Sequence, residues 1–204
     1  MSSWSERTWY VDLSARRTWY EERTGSDAAP TIGGSGQGWA IVAERLRAGA
    51  DPLGPGNVVV LNPGVLVGTR MAGASKLTAI TKFPTQASRE KKYFVGSCTG
   101  GGRYFALGMR QAGCDRPVIE GKATEPVIIV VRDGEVSIEP AEDLWGRGAD
   151  EVSRKLVERE GFDAGVLAIG TGGEKLVRNA LAFIDRLDFS TSRVAVVSFD
   201  LDAT

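Results

Sequence analysis

No histidine occurs anywhere in the 204 residues, and only two cysteines do, Cys98 and Cys114. The first absence removes the commonest metal ligand and the commonest general base, so acid–base chemistry would fall to Asp, Glu, Lys, Tyr or Cys. The second excludes a disulfide scaffold. Two thiols 16 residues apart cannot alone hold a four-thiolate iron–sulfur cluster or a structural zinc. No apolar run is long enough to cross a membrane, and the opening MSSWSERTWYVDL has no signal-like apolar segment, so a cytosolic location and no membrane partner are expected. The formal net charge is −1 with no long run of one sign, which argues against nucleic acid as a partner.

What is plentiful is glycine, 26 residues, about 13% against a usual ~7%. Hydrophobic residues make up 42%, enough for a globular core. The alternating runs 8–13 and 18–22 predict an opening hairpin with half-buried aromatics. A helix is expected over about 38–48, with Trp39, Val42, Ala43 and Leu46 on its buried face. Strands are expected at 58–62, 76–82, 93–97 and 118–121, and a helix at 104–112. Asp133-Gly134 marks a hairpin turn between strands 127–132 and 135–140. A helix opened by Asp143 or Gly148 runs to about Glu160. Strand 166–169, a short helix 174–180 and strands 181–185 and 193–199 complete the chain. Strands outnumber helices and the helices sit between strand groups, which predicts an α+β fold rather than a doubly wound parallel sheet. No linker-like stretch divides the chain, so one domain spanning 1–204 is expected.

Four glycine-rich turns carry the functional signal: Gly33–Gly38, Gly68–Ala74, Gly100–Gly102 and Gly170–Gly173. Three lead toward a helix, where free N–H groups and the helix dipole favour an anion such as phosphate. The plainer reading is turns and helix caps. None is a Walker A loop, because none ends in Gly-Lys-Ser/Thr. The dinucleotide pattern also fails, with Trp39 where the third glycine belongs. Arg70, Lys76 and Arg103 are the nearby cations that can pair with phosphate or simply be solvated. Glu120 can accept hydrogen bonds from a polar cofactor ring or pair with Lys122. Both cysteines read as small buried apolar residues. No nucleophile–base pair is visible, so no catalytic residue is assigned.

The stretches YVDLSARRTWYEE, IGGSGQGWAIVAERL, DPLGPGNVVVLNPGVLVGT, GGGRYFALGMRQAGCD and VIEGKA occur in register with one family. Over nearly its whole length the chain resembles the N-terminal domain of tungsten-dependent aldehyde:ferredoxin oxidoreductases. The resemblance implies two β-sheets with a few short helices, forming a base for a tungsten- or molybdenum-bis-pyranopterin. It places Lys76, Gly100, Gly101, Gly102, Arg103 and Ala180 at the cofactor. It also implies a Mg ion held by the backbone carbonyls of Gly100 and Ala180, with no side-chain metal ligand. Lys76 stands where the family usually has an arginine, and Gly100 where it has an asparagine. Family enzymes continue into helical domains carrying the cluster site, so the expectation is one part of an oxidoreductase acting on aldehydes with an iron–sulfur acceptor. A separate cysteine-rich oxidoreductase chain, or self-association, would complete it. The alternative is a non-redox relative that carries the pterin cofactor, binds another ligand or serves as a scaffold.

Overall fold

The computed structural model describes residues 5–24, 33–83, 94–100, 105–162 and 164–171, and the backbone of 193–199. These residues form two β-sheets and three helices, the α+β mixture expected. Strands β1 (Ser5–Asp12) and β2 (Arg17–Thr24) make the opening hairpin. Cross-strand aromatics fasten it: Tyr10 and Trp19 stack with centroids 5.2 Å apart, and Trp9 meets Tyr20 at 4.9 Å, contacts that suit a pleated surface.

The first sheet has the order β2-β1-β6-β3-β4-β5. Its other members are β3 (Val58–Pro63), β4 (Leu77–Phe83), β5 (Phe94–Gly100) and β6 (Arg116–Glu120). Only the β1–β6 pair is parallel; β3 runs antiparallel to both β6 and β4, and β4 to β5. Helix α1 (Gly34–Arg45) lies over β3 and β4. Under it Tyr10, Val42, Val58, Val60, Ile80 and Val118 form one core. Gly38 makes that approach feasible, since a Cβ there would stand 2.1 Å from Ile80 Cδ1.

The second sheet, β8-β7-β10-β9, contains β7 (Val127–Arg132), β8 (Glu135–Pro140), β9 (Ala164–Leu167) and β10 (Arg193–Phe199). The run VIIVV of β7 is wholly buried because the two faces of the strand feed different cores. Val127, Ile129 and Val131 join Trp9, Val11, Leu61 and Ile119 of the first sheet and Phe105 and Met109 of α2 (Phe105–Gln111) in the central core. Ile128 and Val130 face Val152 and Leu156 of α3 (Ala149–Glu160) on the outer side. The layering is therefore α1, first sheet, central core with α2, second sheet, α3.

Most expected elements stand where the pattern put them, with shifted ends. Helix α1 begins at Gly34, four residues early, and ends at Arg45, where Leu46 turns extended. Its buried face is Gln37, Gly38 and Val42, while Trp39 and Ala43 are exposed; glycine inside a helix lets the backbone rather than a large side chain meet the sheet. Strand β4 begins one residue after Lys76, and β5 continues to Gly100. The expected helix 174–180 and strand 181–185 lie outside the described residues.

Candidate functional site

The antiparallel register places one set of strand ends together. Leu77 at the start of β4 pairs with Pro63 at the end of β3 and with Gly100 at the end of β5. Arg116 at the start of β6 lies beside Thr8 of β1 at the same end. The loop 64–76 and the glycine turn that opens α1 close over this edge. A cavity of about 440 Å³ lies between them, lined by Gly34, Gly64, Val65, Leu66, Val67, Met71, Ala72, Gly73, Ala74 and Lys76. Two of the four glycine turns thus share one concavity, and a third meets its rim at Gly100. Gly170, where the fourth begins, lies elsewhere, against Ala149 at the start of α3.

The two loops touch through a glycine. Gly33 has φ 45°, and a Cβ on it would come 2.9 Å from the backbone nitrogen of Val65. Any side chain at Gly33 would pry α1's first turn off the 64–67 loop. Gly33 gives α1 no side-chain cap, and the first turn holds no acidic residue. Among the described residues no side chain caps the positive end of this 12-residue helix, an end that favours an anion. Lys76 is exposed on the same wall. A Cβ built at Gly34, Gly73 or Gly100 would meet nothing within 4 Å, so no side chain closes off the backbone at these three positions. The remaining wall is apolar: Leu66 and Met71 are 44% and 58% exposed, unusual for large hydrophobic side chains in a loop.

A buried polar cluster stands directly behind the cavity. Arg116, 4% exposed, donates from Nε to Asn62 Oδ1 at 2.8 Å, from Nη1 to Thr8 Oγ1 at 2.8 Å and from Nη2 to Glu6 Oε2 at 2.9 Å. Its Nη2 also donates to Gln37 Oε1, and Gln37 Nε2 donates to Glu6 Oε2 at 3.1 Å. Arg110 of α2 approaches the other oxygen of Glu6 at 3.5 Å and pairs with Asp115 at 3.0 Å. No local pattern marks this cluster, because its members come from β1, α1, β3, α2 and β6, up to 110 residues apart.

The opposite end of the first sheet differs in character. Its groove of about 650 Å³ is lined by Asp12, Ser14, Arg45, Asn57, Glu120 and their neighbours. Arg45 binds both oxygens of Glu120 and lies over the Tyr10 ring. The Glu120 hydrogen bond holds the Arg45 pKa above its ordinary value. Glu120 is thus paired with an arginine at the far end of the sheet from the glycine turns. Tyr10, raised by burial and then by Glu21, stays a neutral phenol.

Of the expected site residues, Lys76 lines the cavity and Gly100 stands across the ladder from Leu77, one residue away. Gly101, Gly102, Arg103 and Ala180 lie outside the described residues. Arg70 is exposed next to the cavity loop. Cys114 is fully buried and its pKa is driven well up by desolvation; Cys98, half-buried on β5, is raised by the same cause. Both are poor nucleophiles. Among the described residues no group of three His, Cys, Asp or Glu side chains can hold a metal, and no helix is long and apolar enough to cross a membrane.

Comparison with known proteins bears on the family and the fold. The sequence model of the aldehyde ferredoxin oxidoreductase N-terminal domain matches residues 8–196. The tungsten-containing aldehyde ferredoxin oxidoreductase of Thermococcus kodakarensis is 31% identical over 176 residues, covering 86% of this chain and 28% of that protein. An aliphatic sulfonate oxidoreductase, WOR-like subunit, of Pyrococcus furiosus is 28% identical over 187 residues, 83% of this chain and 28% of that protein. Among solved structures, the active site complex BamBC of benzoyl coenzyme A reductase superposes with a TM-score of 0.73 at 23% identity, over 95% of this chain and 30% of that one; at that identity the likeness speaks for the fold. The chain spans under a third of the length of each of these proteins, and by fold and sequence it belongs to the aldehyde ferredoxin oxidoreductase N-terminal domain family.

Proposed function

We propose that this chain is the cofactor-binding part of an aldehyde ferredoxin oxidoreductase-type enzyme, holding a tungsten- or molybdenum-bis-pyranopterin while further polypeptide completes the redox chemistry. The single observation that carries the reading is the shared concavity of α1's uncapped N-terminus, the 64–76 loop and Lys76. Its donor set suits a flat, phosphorylated organic group. Peptide N–H groups and an ammonium meet the phosphate charge, the absence of a Cβ at Gly73 and Gly100 lets a ligand approach the backbone closely, and Leu66, Val67 and Met71 offer apolar contact to a ring. When bound, the tungsten or molybdenum centre supplies the electron-transfer chemistry; Lys76, Gly34, Gly73 and Gly100 orient its organic frame. Gly101, Gly102, Arg103 and the Mg-binding carbonyls of Gly100 and Ala180 belong to the same proposal.

Tungsten is named for several relatives, and both the WOR-like subunit and BamBC are parts of larger assemblies by their names, which supports a partner chain. Purification of the native protein with its associated chains tests this. Tungsten or molybdenum together with a cysteine-rich oxidoreductase chain is the expected result; neither metal nor such a chain overturns it. A second reading, a non-redox relative that carries the cofactor or binds another ligand, draws on the planar fork lost at Lys76. It predicts pterin or metal in a preparation that has no cluster-bearing partner and no activity on aldehydes.

A further inference from the structure

We infer that Glu6, Arg110 and Arg116 are positioning residues that fix the two walls of the glycine-loop cavity relative to each other through one buried carboxylate. Arg110 does more than pair with Asp115. Its Nη1 donates to three carbonyl oxygens of the cavity loop, Gly64 at 3.4 Å, Val65 at 3.1 Å and Val67 at 2.6 Å. A single guanidinium nitrogen therefore gathers the loop backbone from behind, on the side away from the open space. The opposite wall is held by a different chain of bonds. Asn62 Nδ2 donates to the carbonyl of Gly34, the first residue of α1, and Asn62 Oδ1 accepts from Arg116. Gln37, in the first turn of α1, is tied to both Arg116 and Glu6.

Glu6 joins the two arrangements. One oxygen faces Arg110 at 3.5 Å and the other accepts from Arg116 and Gln37. Glu6 is 5% exposed and Asn62 1%, so water cannot substitute for a lost partner without opening the core. Burying Arg116 and most of Arg110 is costly relative to hydrocarbon of the same volume. A cluster that served stability alone has no reason to spend its donors on loop carbonyls. Donors aimed at Gly34, Gly64, Val65 and Val67, all cavity-lining or directly continuous with the lining, point to a preorganising role: walls held in place before the ligand arrives lose less freedom on binding it.

The meaning of that role rests on the cofactor reading, but its test does not. Hydrogen exchange is followed peptide by peptide in the native protein, without added ligand, for wild type, Arg110→Met, Glu6→Gln and Asn62→Ala. Arg110→Met is expected to speed exchange in peptides spanning 64–76 about tenfold or more, with β7 and β8 unchanged. Asn62→Ala is expected to do the same for the start of α1 and to leave 64–76 slow, and Glu6→Gln to loosen both. Uniform acceleration across both sheets, or no local change, overturns the proposal. If Arg110→Met does not fold, Arg110→Lys, which retains the charge but not the fork, is measured instead, with the same local pattern expected. Tungsten and molybdenum content is read on the same preparations. Metal-free wild type with the local exchange pattern intact would sink the cofactor reading and leave the positioning role standing; metal-loaded wild type without the pattern would do the reverse.

Discussion

The first sheet and its helix α1 hold all six buried polar residues found among the described side chains, Glu6, Thr8, Gln37, Asn62, Thr78 and Arg116, whereas the core between the second sheet and α3 is hydrocarbon, with the Glu160 carboxylate paired to Arg132 and Arg159 at its margin. Both sheets are sandwiched on two faces, so burial alone does not explain the contrast. The second sheet is asked only to be stable, and Ile, Val and Leu achieve that with few geometric demands. The first must also hold several loop ends at fixed positions, and directional hydrogen bonds do that where dispersion does not.

The contrast can be broken most forcefully at Arg116. Arg116→Met strands Glu6 and Asn62 with too few partners, and denaturant unfolding is expected to show a loss of about 3–5 kcal/mol. A neutral outcome would mean that the first sheet, like the second, asks only for volume. Next in size is Leu156→Ala beneath α3. It removes a side chain 1% exposed and is expected to cost about 2–5 kcal/mol, without altering exchange in the cavity loops. Gly38→Ala sharpens the comparison by sign. In an open helix the change would help by up to ~1 kcal/mol. Against Ile80 it is expected instead to destabilise by about 1–3 kcal/mol.

A smaller effect is set by pH. The folded state keeps the Cys114 thiol neutral far above its ordinary value of 9.0, while the unfolded chain ionises near that value. Stability is therefore fully present below about pH 9 and falls as pH rises beyond it, with a slope of up to ~1.4 kcal/mol per pH unit for this group. Urea midpoints at successive pH values check this, and Cys114→Ala is expected to flatten the slope. Smallest of all, Lys76→Ala is exposed and is expected to leave stability within ~0.5 kcal/mol of wild type.

The second sheet was the easier to read in the sequence. The run VIIVV, the Asp133-Gly134 turn and the apolar period of α3 each announce themselves locally, and β7, β8 and β10 stand at the expected residues. The first sheet was read less well at the edge that matters. Helix α1 starts inside a glycine run that local propensity treats as a break, because tertiary contact with Ile80 outweighs propensity there. The polar cluster left no trace, since Arg116 in sequence is only a charge before Pro117 and its partners converge through the fold. The family motifs point to Lys76 and Gly100, and the fold puts one on the cavity wall and the other a residue away across the ladder; the opposite end's Arg45–Glu120 pair has no such motif, because the 75 residues between them carry no pairing signal.

Metal and pterin content of the native complex, compared between wild type and Lys76→Glu, tests the central claim most directly. The account predicts tungsten or molybdenum with pterin in the wild type and about a tenfold or greater loss in the variant, at unchanged thermal stability. Equal retention in both, or no pterin in the wild-type complex, would contradict it.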